Sequence, residues 1–267
     1  MNEVNKTLYI PLYGKARVSE MGIIINDTKA QQIWRCEHFP LKGKAKSKWL
    51  TYFMAMRARV FDDWTREQLA DTADTVVLHI GCGMDSRALR IGAETVKWYD
   101  IDFPAVIEER RRYYRETQYY HMLEGDATKP DWIKALPNFT DAVVIMEGVS
   151  MYLKNDEVQR LFIALREKFE RVRLLMDVYT VFGAKASKYK NPINNVGVTT
   201  VYGIDDPKIP CVDSGITFLS EHTMTPQSLV NELSGFDKGF FKLMFAGSAT
   251  KKIYRLFEYE LNKPQKA

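Results

Sequence analysis

Histidine and cysteine are scarce in this 267-residue chain, with four of the one and three of the other. Cys36, Cys82 and Cys211 lie far apart and are odd in number. They form neither a disulfide framework nor a zinc-ligand spacing, and they suit a reducing compartment. No apolar run reaches eighteen residues, so no spanning helix is expected, and "MNEVNKTLYIPLYGK" lacks the apolar core of a signal peptide. Internal repeats and low-complexity tracts are missing too. A net charge of +4 is too small and too dispersed for a nucleic-acid protein. The expectation is a cytoplasmic protein with a small-molecule partner, neither nucleic acid nor membrane, and no metal site. What is present is an ordinary globular balance, 46% hydrophobic and 27% charged, long enough for one large α/β domain with additions.

The middle of the chain alternates. "TVVLHI" (75–80) is an apolar run closed by Gly81, the pattern of a buried parallel strand. "DSRALRIG" reads as helix, "TVKWYDI" (95–101) as strand, and "PAVIEERRRYYRET" (104–117) as helix with Pro104 in its first turn. "YYHML" (119–123), "DAVVIMEG" (141–148) and "RVRLLMDVY" (171–179) read as further strands, with helices over 130–136 and 155–169. Such alternation predicts an α/β fold, a Rossmann-like, mostly parallel sheet with helices on both faces.

Before it, residues 1–72 form an expected helical cap. "NDTKAQQIWR" (26–35) starts at Asn26 or Asp27, and residues 47–69 carry Trp49, Phe53, Met56, Val60 and Trp64 at helical spacing. The lysines at 42, 44, 46 and 48 read as a solvated connector. Residues 73–267 form the ligand-binding domain. Its irregular stretch, about 180–220, leaves a strand's C-terminal end and is expected to act as a substrate lid. "ITFLSEH" (216–222) resumes the sheet and "TPQSLVNELSGF" reads as helix, while "KKIYRLFEYELNK" suits a helix or a closing strand equally.

Ligands of an open α/β sheet bind beyond the strands' C-terminal ends. Gly81 and Gly83 fall where the first strand turns into its helix, letting the backbone bend and approach a ligand closely. Asp102, preferred to Asp100, ends the next strand, where an acid can accept hydrogen bonds from ribose hydroxyls. A dinucleotide loop needs a third small residue at position 86, a place taken here by Ser86, and "GCGMDSR" sets Asp85 inside the phosphate cradle. That carboxylate would repel a pyrophosphate but sits well beside a cofactor with ammonium and sulfonium cations, so S-adenosyl-L-methionine (SAM) is favoured over NAD. Asp126 in "EGDAT" lies past the third strand, positioned for an adenine amino group, and Glu147 ends the fourth.

With "RARVFDDW", "LHIGCGMDSRALR", "YDIDFPAVIEERR", "EGDAT" and "VVIMEGVSMYL" in that order, the chain resembles the leucine carboxyl methyltransferase superfamily. It is most similar to the bacterial branch of small-molecule, polyketide-type O-methyltransferases, over roughly Arg57 to Tyr179. The resemblance implies SAM-dependent methyl transfer to a carboxylate or hydroxyl oxygen. By position it implies that Arg59 grips the methionine carboxylate, with Arg57 as rival. It also implies that Gly81 allows close approach and Asp102 binds the ribose, with Asp126 and Ala127 flanking the adenine and Glu147 at the methionine end. An NAD(P)-dependent oxidoreductase and a non-catalytic SAM-binding module are the alternatives.

Methyl transfer from a sulfonium is an in-line displacement, so alignment is the main requirement. A carboxylic acid arrives ionised, whereas a phenol or alcohol needs a base. Base candidates are His222 and Tyr152, with Tyr179 and Tyr189 beside them. His79 and His121 lie in strands and read as core, and His38 belongs to the cap. Trp34, Tyr52, Phe53, Phe182 and Tyr202 are candidate walls of an apolar acceptor pocket, and Cys82 reads as a small packed residue.

Overall fold

The computed structural model describes residues 8–37, 41, 43–70, 74–187 and 200–263. Seven strands form one sheet: β1 (Thr75–Ile80), β2 (Lys97–Asp102), β3 (Tyr120–Glu124), β4 (Asp141–Met146), β5 (Arg171–Tyr179), β6 (Ile216–His222) and β7 (Tyr254–Asn262). Their order is β3-β2-β1-β4-β5-β7-β6. The first five run parallel, and β7 lies antiparallel between β5 and β6. The order reverses between β1 and β4, so a crevice opens at their carboxyl ends.

The described helices are α1 (Tyr9–Met21), α2 (Thr28–Cys36), α3 (Lys48–Leu69), α4 (Arg87–Ile91), α5 (Pro104–Arg111), α6 (Asn155–Lys168), α7 (Val181–Ser187), α8 (Gln227–Val230), α9 (Gly235–Phe245) and α10 (Ser248–Lys251). The sheet is apolar on both faces because two cores meet there. Val77, Val143, Ile145 and Leu175 join Phe61 and Trp64 of α3. Their neighbours Val76, Leu78, Val144 and Leu174 join Leu161, Phe162 and Leu165 of α6. The period-two alternation of a strand thus serves one helix layer per face.

Local chemistry sets several boundaries. Asp27 caps α2, its Oδ1 accepting from the Ala30 N–H at 2.8 Å. Pro104 opens α5. That helix ends at Arg111, earlier than its sequence pattern suggests, and Thr117 Oγ1 then takes the N–H groups of Tyr119 and Tyr120 in a turn. The expected helix over 225–236 is interrupted at 231–234, between α8 and α9, and α9 starts at Gly235, whose φ is +50°. The undecided tail is strand β7. Helix α1 has no counterpart among the expected elements. Pro11 in its first turn, Gly14 and the buried Lys15 disguise it.

Among the described residues no helix is long and apolar enough to cross a membrane, and no cluster of His, Cys, Asp or Glu is placed to hold a metal ion.

Candidate active site

A cavity of about 900 Å³ opens over the carboxyl ends of β1, β2 and β4. That is near the upper end of the usual range for ligand pockets, roughly 300–1,000 Å³. Gly81, Gly83, Asp85, Asp102, Asp126, Ala127, Glu147 and Tyr152, all singled out from the sequence, line it.

Gly81 turns the chain out of β1 with φ +70°, and its N–H donates to Ile101 O at 2.7 Å. A Cβ there would fall 2.1 Å from Val149 Cγ2, so both the backbone conformation and the space require glycine. Asp102 closes the floor. Its Oδ2 accepts from the Gly83 N–H and its Oδ1 from the Phe103 N–H, each at 2.8 Å. Burial outweighs these donors and raises its carboxyl above the ordinary range. Asp126 Oδ1 accepts from the Thr128 N–H at 2.8 Å and hydroxyl at 2.7 Å, which holds the loop after β3.

Beneath the cavity runs a chain of buried opposite charges. Lys15 Nζ lies 2.5 Å from Asp85, Asp85 3.0 Å from Arg90, and Arg90 2.6 Å from Asp62. Asp62 lies 2.7 Å from Arg87, which binds Glu147. Glu147 is 2.9 Å from Arg57, and Arg57 2.8 Å from Asp177. Asp27 joins at Arg90, 2.7 Å away. None of these side chains is more than 8% exposed. The set holds four cations and five carboxylates. Burial pushes the Glu147 carboxyl up, but Arg57 and Arg87 outweigh it and bring it down to about 2. At Asp177 burial prevails over Arg57 and the shift is upward. Tyr254 hydrogen-bonds Asp177 and accepts from Arg57 Nη1 at 2.7 Å, and it lines the cavity.

Three expectations change. Arg59 does not face the cavity. It is bound to Asp63 at 2.8 Å and to Ile24 O at 3.0 Å on the outer side of α3. Residues two apart on a helix point about 200° apart, so Arg57 takes the inward position. His222 also lies outside the main cavity, its Nε2 2.7 Å from Glu258 on the β6–β7 ribbon. Asp85 lines the cavity as expected, but its carboxylate is not left for a cationic ligand. Burial would raise it, yet Arg90, Lys15 and Arg87 hold it well below the ordinary range.

His79 is a core residue that also reaches the cavity. Arg87 Nη1 donates to its Nε2 at 3.2 Å, which leaves Nδ1 to donate to Asp100 at 3.1 Å. Asp100 is occupied further by Trp98, Arg110 and Tyr120, so Asp102 alone of the two acids meets the cavity. Burial pushes the Cys82 thiol well up, as befits a packed residue.

The acceptor side departs further from the sequence reading. Phe53 lines the cavity; Trp34, Tyr52, Phe182 and Tyr202 do not. Among the described residues, 180–187 and 200–220 contribute nothing to its wall. Residues 188–199 of the expected lid, with Tyr189, lie outside the described residues, as do His38 and Lys42. The wall comes instead from α1, α3 and the stretch from Met244 to Tyr254. Sequence reasoning missed Lys15, Arg87, Asp177 and Tyr254. Asp177, an acid inside the apolar "LLMDVY", was detectable as one more strand-end carboxylate; Lys15 and Tyr254 carry no local signal.

Sheet order, glycine turn and strand-end acids together define a SAM-dependent methyltransferase. The leucine carboxyl methyltransferase family model matches residues 12–166, and the chain belongs to that family. Tetracenomycin polyketide synthesis O-methyltransferase TcmP of Streptomyces glaucescens is 30% identical over 207 residues, 77% of each chain. The SAM-dependent methyltransferase dpfgK of Gibberella zeae is 26% identical over 228 residues, 76% of each. Among solved structures, magnesium protoporphyrin IX methyltransferase of Synechocystis PCC 6803 with bound S-adenosylhomocysteine matches with a TM-score of 0.51 at 12% identity. That match covers 89% of this chain and 96% of the other. Geranyl diphosphate C-methyltransferase of Streptomyces coelicolor A3(2) gives 0.51 at 9%, covering 84% and 86%. These last two likenesses concern the fold.

Proposed function

We propose that the chain methylates an oxygen of a small, largely apolar acceptor, a carboxylate in preference to a hydroxyl. The division of one cavity carries this reading. Its floor is polar, over the edges of β1, β2 and β4, and its outer part is walled by Trp49, Phe53, Met151, Phe245 and Ile253. Gly81 gives the backbone approach, Asp102 takes the ribose hydroxyls, and Asp126 with Ala127 flanks the adenine. Arg57 and Glu147 meet the methionine end. The surplus of one carboxylate in the buried chain suits a ligand with one net positive charge. Bound SAM supplies an electrophilic methyl group on a sulfonium.

The protein's share is then placement and exclusion of water. Apolar walls hold the acceptor with its oxygen in line, which accounts for most of the acceleration. Among the described wall residues no imidazole has a free nitrogen, since His79 is bonded at both and His222 lies elsewhere. Burial raises the Tyr254 phenol well above its ordinary value, so it stays a donor near neutrality. An acceptor that arrives as an anion fits such walls. The pair Tyr254–Asp177 supports a second reading, a hydroxyl acceptor whose proton passes to Tyr254 Oη as the tyrosine proton passes to Asp177. Tyr152, in the turn Ser150–Tyr152, also lines the cavity.

We read residues 1–72 as a cap that works as one unit with 73–267, because α3 carries Arg57 into the site. Three free thiols support a cytosolic setting.

The test is calorimetry with SAM and NADH, followed by S-adenosylhomocysteine release from matched aromatic carboxylic acids and phenols. Turnover of the acids, unaffected by Tyr254→Phe, is the expected result. Turnover of phenols that collapses in Tyr254→Phe selects the relay, and binding of NADH in place of SAM overturns the function altogether.

A further inference from the structure

Among the described residues, six of the eleven exposed large hydrophobics sit on two adjoining elements. Val181 and Phe182 open α7, and Phe236, Leu243, Met244 and Ile253 lie on or just after the α9–α10 hairpin. The elements touch, since the Thr180 N–H donates to Ile253 O at 3.0 Å. Phe236 and Leu243 are 75% and 76% exposed. With Phe240 they occupy positions i, i+4 and i+7 of α9, one stripe of the helix. This face rims the mouth of the main cavity, whose wall includes Met244, Phe245, Thr250 and Ile253.

Basic side chains prevail around the stripe. From residue 238 to 257 the chain holds Lys238, Lys242, Lys251, Lys252 and Arg255 and no carboxylate. Lys251 and Arg255 pair with Glu221 at 3.3 and 2.7 Å, and the Asp205 carboxylate accepts from the Val181 N–H, which leaves the basic excess to Lys238, Lys242 and Lys252. The nearest acid in sequence, Asp237, is already bound by Lys48 at 2.7 Å and by the Tyr52 hydroxyl at 2.9 Å.

We propose that this face docks on an anionic lipid surface, so that an apolar acceptor reaches the cavity from the bilayer. Exposed Phe, Leu and Met on a helix flanked by lysines is the composition of an interfacial helix. Lysine stems can lie along the apolar layer while their ammonium groups meet lipid phosphates. A protein partner is less well matched, because lysine is depleted and arginine enriched where proteins meet, and four of the five cations here are lysines. The expectation of no membrane partner rests on the lack of a spanning run and is silent about a docking face. The proposal goes beyond the methyl-transfer reading and shares only the cavity with it.

The experiment is co-sedimentation of the full chain with vesicles of phosphatidylcholine, alone and with about one third phosphatidylserine. Binding to the anionic vesicles is expected to be about tenfold tighter or more and to weaken with salt. The triple variant Phe182→Ser, Phe236→Ser and Leu243→Ser is expected to bind the anionic vesicles about tenfold more weakly than the wild type or worse while keeping its SAM affinity. Failure of the wild type to bind anionic vesicles at low salt overturns the proposal, as does equal binding by the variant. A lipid-free dimer that the variant abolishes overturns it in favour of a second copy of this chain. Vesicle binding by a protein that ignores SAM would sink the enzymatic reading and leave this one standing.

Discussion

Arg57 Nη2 lies 2.9 Å from Glu147 Oε1, and the pair joins the middle of α3 to the carboxyl edge of β4. The same guanidinium reaches Asp177 at the end of β5 at 2.8 Å. Removing it leaves Asp177 buried without its cation and Glu147 with Arg87 alone. Arg57→Ala is expected to cost about 3–5 kcal/mol of stability and to abolish measurable SAM binding, with Arg57→Lys recovering part of both. Arg59→Ala, on the outer face, should leave SAM affinity within about twofold. Urea melts and calorimetry on the three variants check this, and equal effects at 57 and 59 would refute the assignment.

Asp102→Asn keeps the size of the side chain and removes its charge. Loss of a charge-assisted hydrogen bond of about 1.5–3 kcal/mol corresponds to a SAM affinity weakened by roughly 10–100-fold. The melting temperature should also fall, since Asn offers one acceptor oxygen where Asp102 offers two, and either the Gly83 or the Phe103 N–H then faces an amide NH2. Unchanged affinity in a titration removes Asp102 from the cofactor site.

Gly81→Ala meets two obstacles, the φ of +70° and the contact with Val149 Cγ2. The double variant Gly81→Ala, Val149→Ala relieves the second and not the first. Denaturant midpoints should therefore rank wild type above the double variant and the double variant above the single. A single variant as stable as the wild type would show that the turn is not constrained there.

Acid stability should report the buried carboxyls. At Asp100, burial is outweighed by Arg110 and His79, and its value falls from 3.8 to about 2. Glu147 falls from 4.5 to about 2. Both are lowered in the folded state, so their contribution is complete above about pH 4.5 and disappears as pH falls toward 2. Asp100 alone accounts for about 2 kcal/mol over that window. Melting temperatures from pH 7 to pH 2 test it; a flat profile below pH 4.5 contradicts the ion pairing described at Asp100 and Glu147.

His222→Ala should leave turnover within a few-fold, because the ring is held by Glu258 and lies outside the main cavity. A large fall in kcat with KM unchanged would place it in the reaction after all.

The core of this fold was legible because β1, β4 and β5 are near-continuous apolar runs, the first two closed by glycine or an acid. "TVVLHI" and "RVRLLMDVY" coincide with β1 and β5 residue for residue. The strand-end acids followed from the same periodicity. Arg57 and Arg59 illustrate what a motif alone leaves undecided. Helical phase would have separated them, since Arg57 follows Phe53 by one turn and Phe61 follows Arg57 by another, while Arg59 pairs with Asp63 across the outer face. Lys15 and Tyr254 were not legible, because each reaches the site through tertiary contacts 70 or more residues distant in sequence.

The buried ladder of alternating charges ends with one negative side chain more than it has positive ones. The methyl donor carries one net positive charge, and its demethylated product carries none. A pocket so biased should grip the fresh donor more firmly than the spent one, making ejection of the by-product easier and sparing the catalyst from being choked by its own waste.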